Sequence, residues 1–136
     1  MSDNKAFYDM NILIAFLFRE EERFNVAKRV LESHVVRAMS IISLHEIHLY
    51  SIRFDVEAKF FKIKKSLLKL FTIVPLNQEV CIKASALRIS YRLPEVDSLI
   101  FATAVCNGYS HFYTFDRDFR ELNGKRIERT VVHWLS

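Results

Sequence analysis

AMSIISLHEIHL, residues Ala38 to Leu49, passes from a short apolar run into a helical pattern, and its reading decides the fold. Ala38–Ile42 has the length and apolar, β-branched content of a buried strand. Ser43 comes next, and Ser-x-x-Glu ahead of an apolar run is a helix capping box, in which Ser43 and Glu46 would satisfy two orphaned backbone N–H groups. A strand that turns directly into a helix is the unit from which parallel sheets are built. The stretch also sets Glu46 between His45 and His48. Zinc peptidases use H-E-x-x-H, so that two imidazoles one turn apart address one metal. Here the histidines are three apart, a spacing that still shares a helix face. The capping and metal readings of Glu46 are separated by what other ligands the chain offers.

Working outward, Lys5–Tyr8 (KAFY) is a strand candidate, followed after Asp9 by an apolar helical segment, Asn11–Phe18. Arg19–His34 has Phe24, Ala27, Leu31 and His34 at helical spacing, with acidic residues at its front where the helix dipole favours them. Ala58–Phe71 is a lysine-rich helix, Phe71–Leu76 a third strand, and Asn77 a cap for a helix reaching about Tyr91. A helix begins near Asp97 and closes at Gly108, His111–Phe115 is a fourth strand, and Arg129–Trp134 is a weaker fifth. This alternation predicts a three-layer α/β/α sandwich around a mainly parallel sheet of four to five strands.

The chain has 136 residues, which predicts one domain spanning 1–136 and burying roughly two thirds of its unfolded surface. The longest apolar run, Ile12–Phe18, is too short to span a bilayer, and residues 1–4 are polar, so cytoplasmic residence is expected. Cys81 and Cys106 form no C-x-x-C and read as small buried hydrophobes. Two glycines and two prolines cannot build a Gly-rich phosphate loop, which excludes nucleotide-cofactor enzymes of that type. A net charge of +4 fits an anionic partner. Lys59, Lys62, Lys65 and Lys69 form one helical stripe, which a solvated face explains better than a binding surface.

In open α/β sheets, functional groups gather beyond the carboxyl ends of the strands. Four acids obey that rule: Asp9 ends the first strand, Glu46 opens the helix after the second, Asp97 begins a later helix, and Asp116 ends the fourth strand. Each alone is explained as a cap or turn residue. Capping does not require all four to face one crevice. Unit charges 4 Å apart interact by about 4 kcal/mol at an effective dielectric near 20, so clustered carboxylates need protons or cations. Oxygen ligands suit Mg²⁺ or Mn²⁺, and no convergent Cys/His set supports structural zinc. His45 and His48 are then packing or surface residues beside the ligand Glu46.

With FYDMNILI, SLHEIHL, PEVDSLIFATAVCNGY and FYTFDRDF in place, the chain resembles PIN domain nucleases, and within them VapC-type toxins, over nearly its whole length. The resemblance implies metal-binding, catalytic acids at Asp9, Glu46, Asp97 and Asp116, with Asn11, Thr114 and Asp118 in support. Glu95 competes with Asp97, which opens the helical pattern and is the better choice. One or two Mg²⁺ or Mn²⁺ ions would promote hydrolysis of RNA, leaving a 5′-phosphate and a 3′-hydroxyl. Lys62, Lys65, Arg88, Arg92 and Arg117 are candidates for holding the RNA backbone. The family further implies a homodimer and a cognate VapB-like antitoxin, with Phe16, Phe18, Phe24, Phe54 and Phe61 divided between core and interfaces. Two other readings stay open: an RNA-processing nuclease of the same fold outside any toxin-antitoxin pair, and a PIN-like binding module without chemistry.

Overall fold

The structure, a computed structural model, describes residues 5–136; residues 1–4, whose polar character entered the expectation about location, lie outside it. β1 (Lys5–Tyr8), β2 (Val36–Ser40), β3 (Thr72–Val74), β4 (His111–Thr114), β5 (Arg126–Ile127) and β6 (Thr130–Trp134) form one sheet in the order β3-β2-β1-β4-β6-β5. All neighbours run parallel except β5, which is antiparallel to β6. The helices are α1 (Met10–Leu17), α2 (Phe24–Glu32), α3 (Ile41–Arg53), α4 (Glu57–Leu70), α5 (Gln78–Tyr91) and α6 (Glu95–Cys106), with a 3₁₀ helix at Arg117–Leu122. The α/β sandwich is as expected, with six strands rather than four or five.

Strand periodicity divides the core into two. Phe7, Ala38, Phe112 and Val132 pack with Val80, Ala84 and Leu87 of α5, Phe101 of α6 and Phe119 of the 3₁₀ helix. Ala6, Tyr8, Met39 and Tyr113 face the other layer, with Ile12 and Leu13 of α1, Ile47 of α3 and Phe60 and Leu67 of α4. Burial on both faces is why the strands read as apolar runs and not as alternating patterns. Phe112 meets Phe101 and Phe119 at ring-centroid distances of 5.1 Å each. Truncating such a buried ring to alanine costs about 3–5 kcal/mol.

Several local expectations are corrected. The cap of α3 is Ser40, whose Oγ accepts from the Ile42 amide at 3.1 Å. Ser43 lies buried inside the helix, so Ser43 and Glu46 form no capping box and β2 ends two residues earlier than expected. Glu20, Glu21 and Glu22 precede α2 instead of occupying its first turn. α6 opens at Glu95 behind Pro94, two residues before Asp97. Cys81 is exposed and Cys106 half-buried, both free thiols. β5 was missed because the turn joining it to β6 is Glu128–Arg129, with Glu128 at φ 55°, where hairpins usually carry Asn or Gly.

Candidate active site

The carboxyl edge of the sheet gathers acids from four separate segments. Asp9, directly after β1, is the N-cap of α1, with Oδ1 accepting from the Met10 amide at 2.8 Å. It is only 2% exposed. Its Oδ2 accepts from Thr114 Oγ1 at 2.8 Å, and the same hydroxyl oxygen accepts from the Asp116 amide at 2.9 Å. Asp116 caps the 3₁₀ helix, accepting from the Asp118 amide at 2.9 Å. Asn11 Oδ1 accepts from the Phe115 amide at 3.2 Å, which ties the start of α1 to the end of β4. Thr114 and Asn11 therefore act as braces between neighbouring parallel strands and the segments that leave them.

Asp97 completes the set from the first turn of α6, so that Asp9, Asp97 and Asp116 each offer a carboxylate oxygen within 4.8 Å of the others. Glu95, two residues before Asp97, is exposed and is not part of this trio. Glu46, on α3, stands outside the trio but feels the charge of Asp9 and Asp116. Its Oε1 is buried with no hydrogen-bond partner among the described residues.

Crowding of like charge away from water pushes these acids up together. Burial, partly offset by the Thr114 and Met10 hydrogen bonds and reinforced by Asp116, raises Asp9 to about 6. Burial, then Asp9 and Asp116, raise Glu46 to about 7 and Asp97 to about 8. Asp118 is exposed yet also raised, by burial of its carboxyl and by its contact with Asp116. No cationic side chain forms an ion pair with any of them among the described residues. An orphaned glutamate oxygen, three convergent carboxylates and an all-oxygen donor set fit a hard divalent cation.

The histidines of the SLHEIHL stretch take no part. His48 Nε2 lies 2.7 Å from Glu57 Oε2 and its ring stacks on Phe60, while His45 is exposed.

The PIN domain profile matches residues 6–125. The chain belongs to the PIN domain family. Its similarity within that family is to VapC-type proteins. The PIN chain is 26% identical over 137 residues to Ribonuclease VapC2 of Methanocaldococcus jannaschii, covering 90% of this chain and 92% of that protein. It is also similar to a toxin-antitoxin complex from Klebsiella pneumoniae, with TM-score 0.72 and 28% identity over 93% of this chain and 96% of that one. Mycobacterium tuberculosis VapC20, described as a Sarcin-Ricin loop cleaving toxin, has TM-score 0.74 over 91% of this chain and 98% of that one. At 20% identity that last likeness is one of fold.

Around the PIN carboxylates, the basic candidates separate. Arg92 and Arg117 line a groove of about 560 Å³ together with Asp118. Arg88 is exposed on α5 outside that lining. Lys62 and Lys65 are exposed on α4, in the opposite helical layer. Tyr91, Arg120 and Lys125 also line the groove, and the sequence had not singled them out. Their meeting depends on how the end of α5 packs beside the 3₁₀ helix, which no local pattern encodes.

Proposed function

We propose that this PIN chain is a metal-dependent endoribonuclease that hydrolyses RNA phosphodiester bonds at Asp9, Glu46, Asp97 and Asp116, and that it is the toxin of a VapBC-type toxin-antitoxin pair. The observation that supports this most is the convergence of Asp9, Asp97 and Asp116 on one point, with oxygens within 4.8 Å and no cation paired to them among the described residues. Such an arrangement is unstable without protons or a bound ion at neutral pH. One or two Mg²⁺ or Mn²⁺ ions would supply charge neutralisation of the phosphodiester and activation of the attacking water. The chain's own part is positioning. Thr114 fixes the free oxygen of Asp9, the Asp118 amide fixes Asp116, and Glu46 holds an oxygen ready without a competing donor. No protein nucleophile is needed.

The toxin reading draws on the similarity to Ribonuclease VapC2 and to the Klebsiella pneumoniae complex. It also suits two apolar faces left open. Ile52 at 48% exposed, Phe54 at 63% and Phe61 at 53% lie on α3, just beyond it and on α4, and Ile82 and Ile89 on α5 are 73% and 82% exposed. Two such faces suit the two interfaces of a homodimer bound to a VapB-like antitoxin. Among the described residues no helix is long and apolar enough to cross a membrane, which agrees with a cytoplasmic toxin.

The test is RNA cleavage by the purified chain, freed of any antitoxin, with Mn²⁺ or Mg²⁺ and with EDTA, beside Asp9→Asn. Cleavage that requires metal and Asp9 and leaves 5′-phosphates is expected. RNA that binds but survives every metal condition would give the lead to the binding-module reading. Growth arrest on induction, relieved by an antitoxin encoded beside this chain, separates a toxin from an RNA-processing nuclease.

A further inference from the structure

Away from the carboxylates, three of the chain's five histidines meet on one face of the sheet. His111 of β4 and His133 of β6 stand on adjacent parallel strands, with His111 opposite Val131 and Tyr113 opposite His133. Residues two apart on a strand share a face, so the two rings lie on the same side along a diagonal. His111 Nδ1 and His133 Nε2 are 2.8 Å apart. Neighbouring rings fix them both. His133 stacks on Tyr113 at 4.6 Å and 16°, and His34 leans on His111 with centroids 4.8 Å apart. His34 is held in turn by the Tyr113 hydroxyl, 2.7 Å from its Nε2. His111 and His133 are each partly exposed, which leaves solvent a way in.

Two adjacent imidazole nitrogens on rigid strands form a chelate, and their surroundings indicate for what kind of ion. Among the described residues no Asp or Glu acts on His34 or His133. Arg37 acts on His34, and its Nε is occupied by the Leu31 carbonyl at 2.6 Å. A hard ion such as Mg²⁺ wants oxygen and finds none offered here, whereas imidazole suits Zn²⁺, Ni²⁺ and Cu²⁺. Ligation needs neutral rings. Burial, then His111 and His34, lowers His133 to about 4, so at neutral pH it has no proton to expel before it binds. The ring that donates within the pair moves its hydrogen to its other nitrogen, and both rings stay neutral. Two nitrogens on a tetrahedral Zn²⁺, with bonds of about 2.0–2.1 Å, sit about 3.3 Å apart, so rings now at 2.8 Å need part by only about half an ångström.

We propose that His111 and His133 chelate one divalent ion of the Zn²⁺ type, separate from the carboxylate site, and that this ion pins β6 to β4. Water completes its coordination. The pin bears on the support of the acids, because the Leu135 amide, two residues beyond His133, donates to the Thr114 carbonyl at 2.9 Å. The site does not depend on the nuclease reading.

The experiment is isothermal titration of Zn²⁺ into the untagged full chain at pH 7.5, carrying Asp9→Asn and Asp97→Asn to disarm the acids. One ion per chain is expected, with a melting temperature that rises as it binds. His111→Leu and His133→Leu, made singly, should each weaken binding by at least about tenfold, the floor for groups that merely support a metal ligand, and should remove the thermal rise. Both positions are partly exposed, so the variants keep their fold, which circular dichroism checks. His45→Leu with His48→Leu, the other two histidines, should change neither readout. Co²⁺ in place of Zn²⁺ should give a visible absorption band that either single variant removes. No Zn²⁺ uptake by the chain with disarmed acids would overturn the proposal. Uptake that survives both single variants would also overturn it and leave the pair as a hydrogen bond alone. Uptake lost only in His45→Leu with His48→Leu would overturn it by moving the ion to α3.

Discussion

Thr114 Oγ1 donates to Asp9 Oδ2 at 2.8 Å across 105 positions of sequence, and so joins the ends of two parallel strands at the point where the acids meet. The same oxygen accepts from the Asp116 amide. Thr114 is fully buried, and its bond is among the influences that hold Asp9 down. Replacing it by valine removes both roles at nearly constant volume. We expect Thr114→Val to cut RNA cleavage by about tenfold to a hundredfold, the equivalent of a hydrogen bond to a charged group. The acidic limb of its pH profile should move upward, and Thr114→Ser should restore both. A valine variant with wild-type rate and profile would remove Thr114 from the site.

Asp97→Asn should abolish cleavage and yet stabilise the metal-free protein. Asp97 sits at about 8 when folded against an ordinary 3.8, so the folded state holds a proton that the unfolded state releases between those values. The contribution of Asp97 is therefore present below about pH 4 and is lost as pH rises through about 8. At neutral pH asparagine should raise the melting temperature by several degrees, on the order of 4 °C per kcal/mol for a chain of this size. At pH 4 the gain should vanish. An equal gain at both pH values would mean that charge crowding is not its source.

Adding Mn²⁺ or Mg²⁺ to the wild-type chain should reverse that deficit. An ion that binds only the folded state at a hundred times its Kd stabilises by about 2.7 kcal/mol. Differential scanning fluorimetry should show a metal-dependent rise at neutral pH, absent in Asp9→Asn. A rise of the same size in that variant would place the ion elsewhere.

A second cluster has the opposite sign. His34, His111, His133 and Tyr113 pack together on the sheet face below the acids, with His34 Nε2 2.7 Å from the Tyr113 hydroxyl and His111 Nδ1 2.8 Å from His133 Nε2. Burial, then His111, lowers both His34 and His133, the latter to about 4. Arg37 also disfavours charge on His34. The unfolded chain takes up protons near 6.5 while the folded His133 refuses them until about 4, so this stability is lost as pH falls across that window. His133→Leu should shrink the drop in melting temperature between pH 6.5 and 4. A drop of the same depth would assign it to other groups.

What could be read in the sequence follows from where its information is local. Asp9 and Asp116 were legible because a parallel sheet sends its strand ends to one edge, so position in the strand-helix alternation stands for position in space, whereas Asp97 follows no strand directly and was reached through the helix start after Pro94. Asn77 as the cap of α5 was legible for the same reason, and its Oδ1 does accept from the Val80 amide at 2.9 Å. Ser40 was hidden by the isoleucines after it, which suit a strand by propensity and are drawn into α3 by the cap and by packing. The groove was hidden more deeply. Arg92 and Arg117 looked like any surface cations, and Tyr91, Arg120 and Lys125 gained meaning only when α5 and the 3₁₀ helix came side by side.

The Thr114 brace also sets a time order. Asp9 is held by Thr114, and Asp116 follows it, so neither half of the brace exists until the fourth strand has been translated and laid beside the first. A growing chain carries Asp9 and Glu46 well before it carries Asp116. On the nuclease reading proposed above, a nascent chain therefore holds an incomplete site until the fourth strand is in place.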